Sequence, residues 1–234
     1  MNDRHNLLDS ITGAFVPMHR DGYKFVAAFA VATLFLFWLA PPLGWLGAFL
    51  TAGCAYFFRD PDRVTPDRPG LIVSAADGKV SAVVESVPAP KELALGTEPL
   101  TRVSVFLSVL DVHIVRAPLG GKVIRSAYVP GAFLNAELDK ASEENERQAL
   151  VIETKSGTKI GVVLIAGLIA RRIVTFVSEG ASLEPGERIG LIRFGSRVDL
   201  YLPEGVEVLT EVGQTAIGGE TVLVAFASDT PGKV

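Results

Sequence analysis

Gly195-Ser196 is the pair of residues in this sequence with the most specific chemical potential. It sits between an apolar run, Ile189 to Phe194 with Gly190 and Arg193, and an alternating one that carries Val198, Leu200 and Leu202. That pattern predicts a serine at a sharp bend between two strands. A hydroxyl placed there can attack the glycine carbonyl before it, exchanging an amide for an ester. Elimination across the serine Cα–Cβ bond then leaves dehydroalanine, which hydrolyses to a pyruvoyl group and ammonia. Glycine suits the preceding position twice, because it adopts backbone conformations that other residues resist and leaves the attacked carbonyl uncrowded. Most Gly-Ser pairs between strands are ordinary turns, so the pair alone decides nothing. His113, within Asp111-Val112-His113-Ile114-Val115-Arg116-Ala117-Pro118, is the candidate for moving protons, since imidazole titrates near neutrality. The plainer alternative is a structural histidine.

These residues need a scaffold, and 234 residues suffice for one fair-sized domain plus an appendage. A net charge of −4 argues against nucleic-acid binding driven by bulk charge. Cys54 is the single cysteine, so neither an internal disulfide nor a cysteine metal cluster can form. His5, His19 and His113 are too scattered to predict a zinc site. No G-x-G-x-x-G is present, and Gly120-Gly121-Lys122 falls short of a P-loop.

The hydrophobic share of 49% is high for a purely soluble protein, and much of it lies near the N-terminus. Residues 25–40 are apolar except Thr33, and residues 43–58 are apolar apart from small Gly and Thr residues. Each run is about 16 residues, against roughly 20 for a straight bilayer crossing. Together they predict a tight helical hairpin with Pro41-Pro42 as its turn, either spanning marginally or dipping into one leaflet. Arg20 and Lys24 before it, and Arg59 and Arg63 after it, put both ends in the cytoplasm by the positive-inside tendency. No secretory leader is expected. A buried hairpin in a soluble core is the alternative.

Beyond Arg63 a linker runs to Pro69-Gly70, and β-like segments follow at 72–73, 79–87, 102–110, 122–129, 149–154 and 159–165. Ser156-Gly157 marks a hairpin between the last two. Residues 135–147 are charged and helix-tolerant, and 205–226 are strand-like and punctuated by glycine. The expected architecture is mainly β, a compact sandwich or barrel with an N-terminal hydrophobic helical hairpin. The division places an anchoring region at 1–63 and a β-rich catalytic domain at 64–234.

Four stretches then occur together in order: Val73-Ser74-Ala75-Ala76-Asp77-Gly78-Lys79-Val80, Leu107-Ser108-Val109-Leu110-Asp111-Val112-His113, Asp139-Lys140-Ala141-Ser142-Glu143-Glu144-Asn145-Glu146-Arg147, and Phe194-Gly195-Ser196. With them the chain resembles the phosphatidylserine decarboxylases, in their short bacterial and archaeal branch, from about residue 56 to the end. The resemblance implies self-cleavage between Gly195 and Ser196 into a β chain 1–195 and an α chain 196–234 headed by pyruvoyl. It also implies phosphatidylserine in the cell (inner) membrane as the substrate, with phosphatidylethanolamine and carbon dioxide as the products; the basic flanks of the hairpin put catalysis on the cytoplasmic side. The pyruvoyl made from Ser196 would form a Schiff base with the substrate amine and act as an electron sink, as pyridoxal phosphate does elsewhere. Neither pyridoxal phosphate nor a metal is then required. Homo-oligomer formation stays open.

Within the resemblance His113 serves cleavage, decarboxylation or both. Asp77, by itself an ordinary Asp-Gly turn residue, becomes an orienting carboxylate. Longer members carry a second histidine where this chain has Arg116, so the Asp77–His113 pairing is the weak link. Arg197 after the serine, where long members have threonine, fits the short branch. Arg171-Arg172 could grip the lipid phosphate, since guanidinium binds phosphate bidentately, or form a solvated basic turn. The rival reading is a membrane-tethered lipoyl-like carrier using Lys140 in Asp139-Lys140-Ala141, although the acidic residues around it suit a helix or loop better than a hairpin tip. A membrane-anchored β scaffold without chemistry is the third.

Overall fold

The computed structural model describes residues 16–66, 68–136, 141–168, 172–193 and 195–226. Two compact units divide between Asp62 and Arg63.

The first unit is a helical hairpin. Helix α1 (Arg20–Leu39) and helix α2 (Pro41–Phe57) are separated by Ala40 alone, in extended backbone. The prolines are therefore not the turn. They occupy the first two positions of α2, where a missing N–H is no loss and the fixed φ already suits a helix. By length and composition α1 could cross a membrane. The helices meet through small residues: a Cβ on Gly44 would strike the Phe37 ring, and one on Gly47 would lie 2.7 Å from Thr33 Oγ1. Thr33 and Thr51 hydroxyls share a 3.0 Å hydrogen bond across this seam. One hydroxyl donates across the seam and leaves the other to donate within its own helix; the Phe29 and Gly47 carbonyls lie 2.8 Å from Thr33 and Thr51 Oγ1 respectively.

The second unit is built of short strands. Its first five are β1 (Leu71–Val73), β2 (Gly78–Val87), β3 (Leu100–Leu107), β4 (Ile114–Arg116) and β5 (Gly121–Val129). A single helical turn, α3 (Ala141–Glu144), precedes β6 (Arg147–Glu153), β7 (Lys159–Ala166), β8 (Ile173–Thr175), β9 (Ser182–Leu183) and β10 (Arg188–Ile192). Then come β11 (Ser196–Pro203), β12 (Glu207–Val208), β13 (Thr215–Ala216) and β14 (Val222–Ala225). Eight strands form one antiparallel sheet in the order β13-β2-β3-β11-β7-β6-β5-β9, curled into a half-barrel. Two smaller sheets, β1-β14-β12 and β4-β10-β8, complete the unit. The fold is mainly β, as the sequence predicts.

Strand β11 is central, paired with β3 on one side and β7 on the other. Its alternate residues Val198, Leu200 and Leu202 enter the main core with Leu150, Ile152, Val162 and Leu164. The opposite face is covered as well. Leu93 and its neighbours close a second cluster over Val163, Ile165 and Tyr201. The polar half of β11 therefore lies in the interior.

Two expected boundaries move. The strand expected over 102–110 stops at Leu107, because Ser108 turns the chain: its N–H and hydroxyl both donate to Asp111 Oδ2, at 2.7 Å each. The helix-tolerant stretch 135–147 yields helix at 141–144, with 137–140 outside the described residues.

Candidate active site

Ser196 opens β11, where the register pairs it with Leu107 on one side and Ala166 on the other. It has no solvent exposure, and its Oγ has no hydrogen-bond partner among the described residues. Leaving a buried hydroxyl unsatisfied costs about 1–3 kcal/mol, a sacrifice found where reactivity is kept in hand. Gly195, just before it, has φ +55, the left-handed region that glycine enters without strain.

His113 arrives at the same end of the sheet by the turn after β3. Ile192 N–H donates to the His113 carbonyl at 3.2 Å, tying the histidine to the last residue of β10, four positions before Ser196. The ring is fully buried, and Nδ1 lies 2.9 Å from the Asp111 carbonyl. A carbonyl only accepts, so Nδ1 carries the hydrogen, and in the neutral ring Nε2 holds the basic lone pair. The Ser108–Asp111 turn thus sets the tautomer as well as the direction of the chain.

Asp77 stands immediately before β2, one strand beyond β3 from Ser196. Its Oδ2 takes a 2.7 Å ion pair from Arg63, and its Oδ1 accepts the Gly218 N–H at 2.8 Å. Burial raises its carboxyl above the usual range, while Arg63 and the Gly218 N–H pull the other way without cancelling that rise. The structure joins Asp77 to Arg63 and Gly218, not to His113. Arg116 is buried, donating from Nη1 to the Gly186 carbonyl and from its backbone N–H to the Ala75 carbonyl. Arg172 is exposed at the start of β8, and its carbonyl accepts the Arg193 N–H, three residues ahead of Ser196. Arg171 and Lys140 lie outside the described residues.

Two features had no clear signal in the sequence. Arg197 and Asp199, two apart on the covered face of β11, form a buried ion pair: Nη2 donates to Oδ2 at 3.1 Å, and Nε lies 2.9 Å from Oδ1. Arg197 also donates to the Ala136 carbonyl at 3.1 Å. Burial and the neighbouring Asp199 charge push the Tyr201 phenol up to about 12. Asn145, fully buried, bonds both backbone groups of Leu134 and the carbonyl of Ala166, the residue opposite Ser196. The Ser-x-x-Asp spacing at 108–111 was a readable turn signature; these two depended on contacts distant in sequence.

The central strand of a curled antiparallel sheet thus opens on a buried serine whose Oγ has no hydrogen-bond partner among the described residues, with a histidine at the same sheet end. A family model described as phosphatidylserine decarboxylase matches residues 50–224. The chain belongs to that family and is a decarboxylase whose family reaction is the decarboxylation of phosphatidylserine.

Proposed function

We propose that the protein is made as a precursor, cuts itself between Gly195 and Ser196, and then converts phosphatidylserine to phosphatidylethanolamine and carbon dioxide. The observation that carries this reading is Ser196 Oγ, shielded from water and without a partner among the described residues, next to a glycine in left-handed backbone. Ser196 Oγ attacks the Gly195 carbonyl carbon, the C–N bond breaks, and the hydroxyl proton ends on the released amine. Loss of the Ser196 Cα proton and of the Gly195 carboxylate from Cβ gives dehydroalanine. One water enters and ammonia leaves, so residues 196–234 begin with a pyruvoyl group. The buried Oγ fits this fate, and the family is generally pyruvoyl-dependent.

That group would supply, at Ser196, an electron-sink carbonyl for the substrate amine. His113 Nε2 is the base for cleavage and the proton donor to the decarboxylated carbon. Asp77 acts at a distance, fastening the loop before β2 to Arg63 and Gly218. The chains 1–195 and 196–234 stay together after cleavage, because β11 is hydrogen-bonded to β3 and β7 and Arg197 holds the Ala136 carbonyl.

Arg172, with Arg171 beside it in sequence, meets the headgroup phosphate. Val109, Leu110 and Leu168, exposed on the loops that follow β3 and β7, face the acyl region. The hairpin anchors the chain in the cell membrane, and its basic flanks keep both ends cytoplasmic. Residues 64–234 form the catalytic domain. Ser196→Ala tests the reading: it should stay a single chain with decarboxylation at background, and fragments divided at 195/196 in that variant would overturn the assignment.

A further inference from the structure

Gly167 faces the bond that this reading breaks. The β7–β11 ladder pairs Ala166 with Ser196, so the next residues outward, 167 and 195, stand opposite each other. A Cβ built on Gly167 would lie 2.1 Å from the Gly195 carbonyl oxygen and 2.9 Å from its carbon. Ala136 Cβ would be 3.4 Å away. In a regular antiparallel ladder a carbonyl points along the sheet toward the neighbouring strand. Here the left-handed backbone at Gly195, φ +55, turns the carbonyl into the space a side chain at 167 would fill. At Gly195 itself an added Cβ would meet nothing within 4 Å. The two glycines answer different needs: Gly195 supplies a backbone angle, and Gly167 supplies room.

The geometry points to Gly167 as the positioning residue for self-cleavage, its bare Cα forming the seat of the scissile carbonyl. The inference rests on the proposed cleavage at Gly195-Ser196. Attack by Ser196 Oγ makes the Gly195 carbon tetrahedral and swings its oxygen, so the oxygen needs its place both before and during the step. A methyl at 167 forces the carbonyl to move by about 1 Å, and a misplacement of that size in a reacting group costs on the order of 10²-fold in rate. Once the bond is cut the demand ends, so the effect belongs to maturation.

Gly161→Ala is the matched control. It lies on β7, which ends one residue before Gly167, and its Cβ would meet Leu93 Cδ1 at 2.5 Å, the far end of a flexible side chain, and Tyr201 Cβ at 3.2 Å, both away from the scissile bond. In full-length protein, conversion of the single chain into fragments 1–195 and 196–234 is followed by denaturing mass spectrometry, with a urea midpoint for each variant. Wild type and Gly161→Ala should cleave at similar rates. Gly167→Ala should accumulate as precursor, slowed about 10²-fold, with a urea midpoint no lower than that of Gly161→Ala. Cleavage of Gly167→Ala within threefold of the control would overturn the inference and leave the cleavage reading standing. If Gly167→Ala fails to fold, Ala136→Gly/Gly167→Ala gives the methyl space on one side while keeping the carbonyl contact. Slow cleavage in that protein supports the seat, and cleavage at the control rate overturns it. A wild-type chain that never divides would sink the cleavage reading itself, and the seat with it.

Discussion

The hairpin and the β unit distribute their residues in opposite ways. In the hairpin Gly22, Thr33, Gly44 and Gly47 are among the shielded residues, while Trp38, Trp45 and Phe49 point outward. In the β unit Ile152, Leu164 and Leu200 are shielded, and Lys122, Glu85 and Thr215 point outward. Burial of apolar area drives the second arrangement in water. The first suits an apolar solvent, where helices are held by close approach and by hydrogen bonds such as that between Thr33 and Thr51. The contrast is the one expected if, as proposed, attachment belongs to the hairpin and chemistry to the β unit.

Removing residues 1–62 is the strongest way to break that division. It keeps Arg63 for Asp77, and the truncated protein should move from the membrane pellet to the supernatant while still cleaving. A truncated chain that remains in the pellet would show that the β unit attaches by its own surface. His113→Ala should leave the protein in the pellet and folded by circular dichroism, yet lower decarboxylation by roughly 10²–10⁴-fold. Undiminished turnover would remove His113 from the mechanism.

Smaller effects sharpen the contrast inside the β unit. Arg197→Met strands the Asp199 charge in the interior and should cost about 3–5 kcal/mol in urea unfolding. Arg197→Met/Asp199→Leu should recover most of that loss, because both charges go together; a double variant as weak as the single would contradict the account of the pair. Leu164→Ala, at a fully buried position, should cost about 2–5 kcal/mol. Leu34→Ala, on the outward face of α1, should change unfolding in detergent by no more than about 0.5 kcal/mol. Equal costs would erase the difference between the units.

What was legible in the sequence was what local pattern can encode. The two apolar runs announced the hairpin, and Ser156-Gly157 announced the β6–β7 turn, with Gly157 at φ +86. The apolar-then-alternating texture around Gly195-Ser196 announced a bend between strands, and Gly195 is a bend residue immediately before β11. Alternation alone cannot tell that the Arg197 and Asp199 face of this strand is covered, because Leu93 and its neighbours, about a hundred residues earlier, close over it. Asp77 likewise reads as a turn residue until Arg63, 14 positions back in the linker, is seen to reach it. Gly167 carries no signal in the sequence, since a demand for empty space at one position shows only when the opposing carbonyl is in place.

The most direct test of the central claim is the intact mass of mature wild-type protein under denaturing conditions, before and after borohydride reduction in the presence of phosphatidylserine. The account predicts two fragments divided at 195/196, the smaller one blocked at its N-terminus and gaining substrate mass on reduction. A single unbroken chain in fully active material, or a small fragment that begins with an unmodified serine, would contradict it.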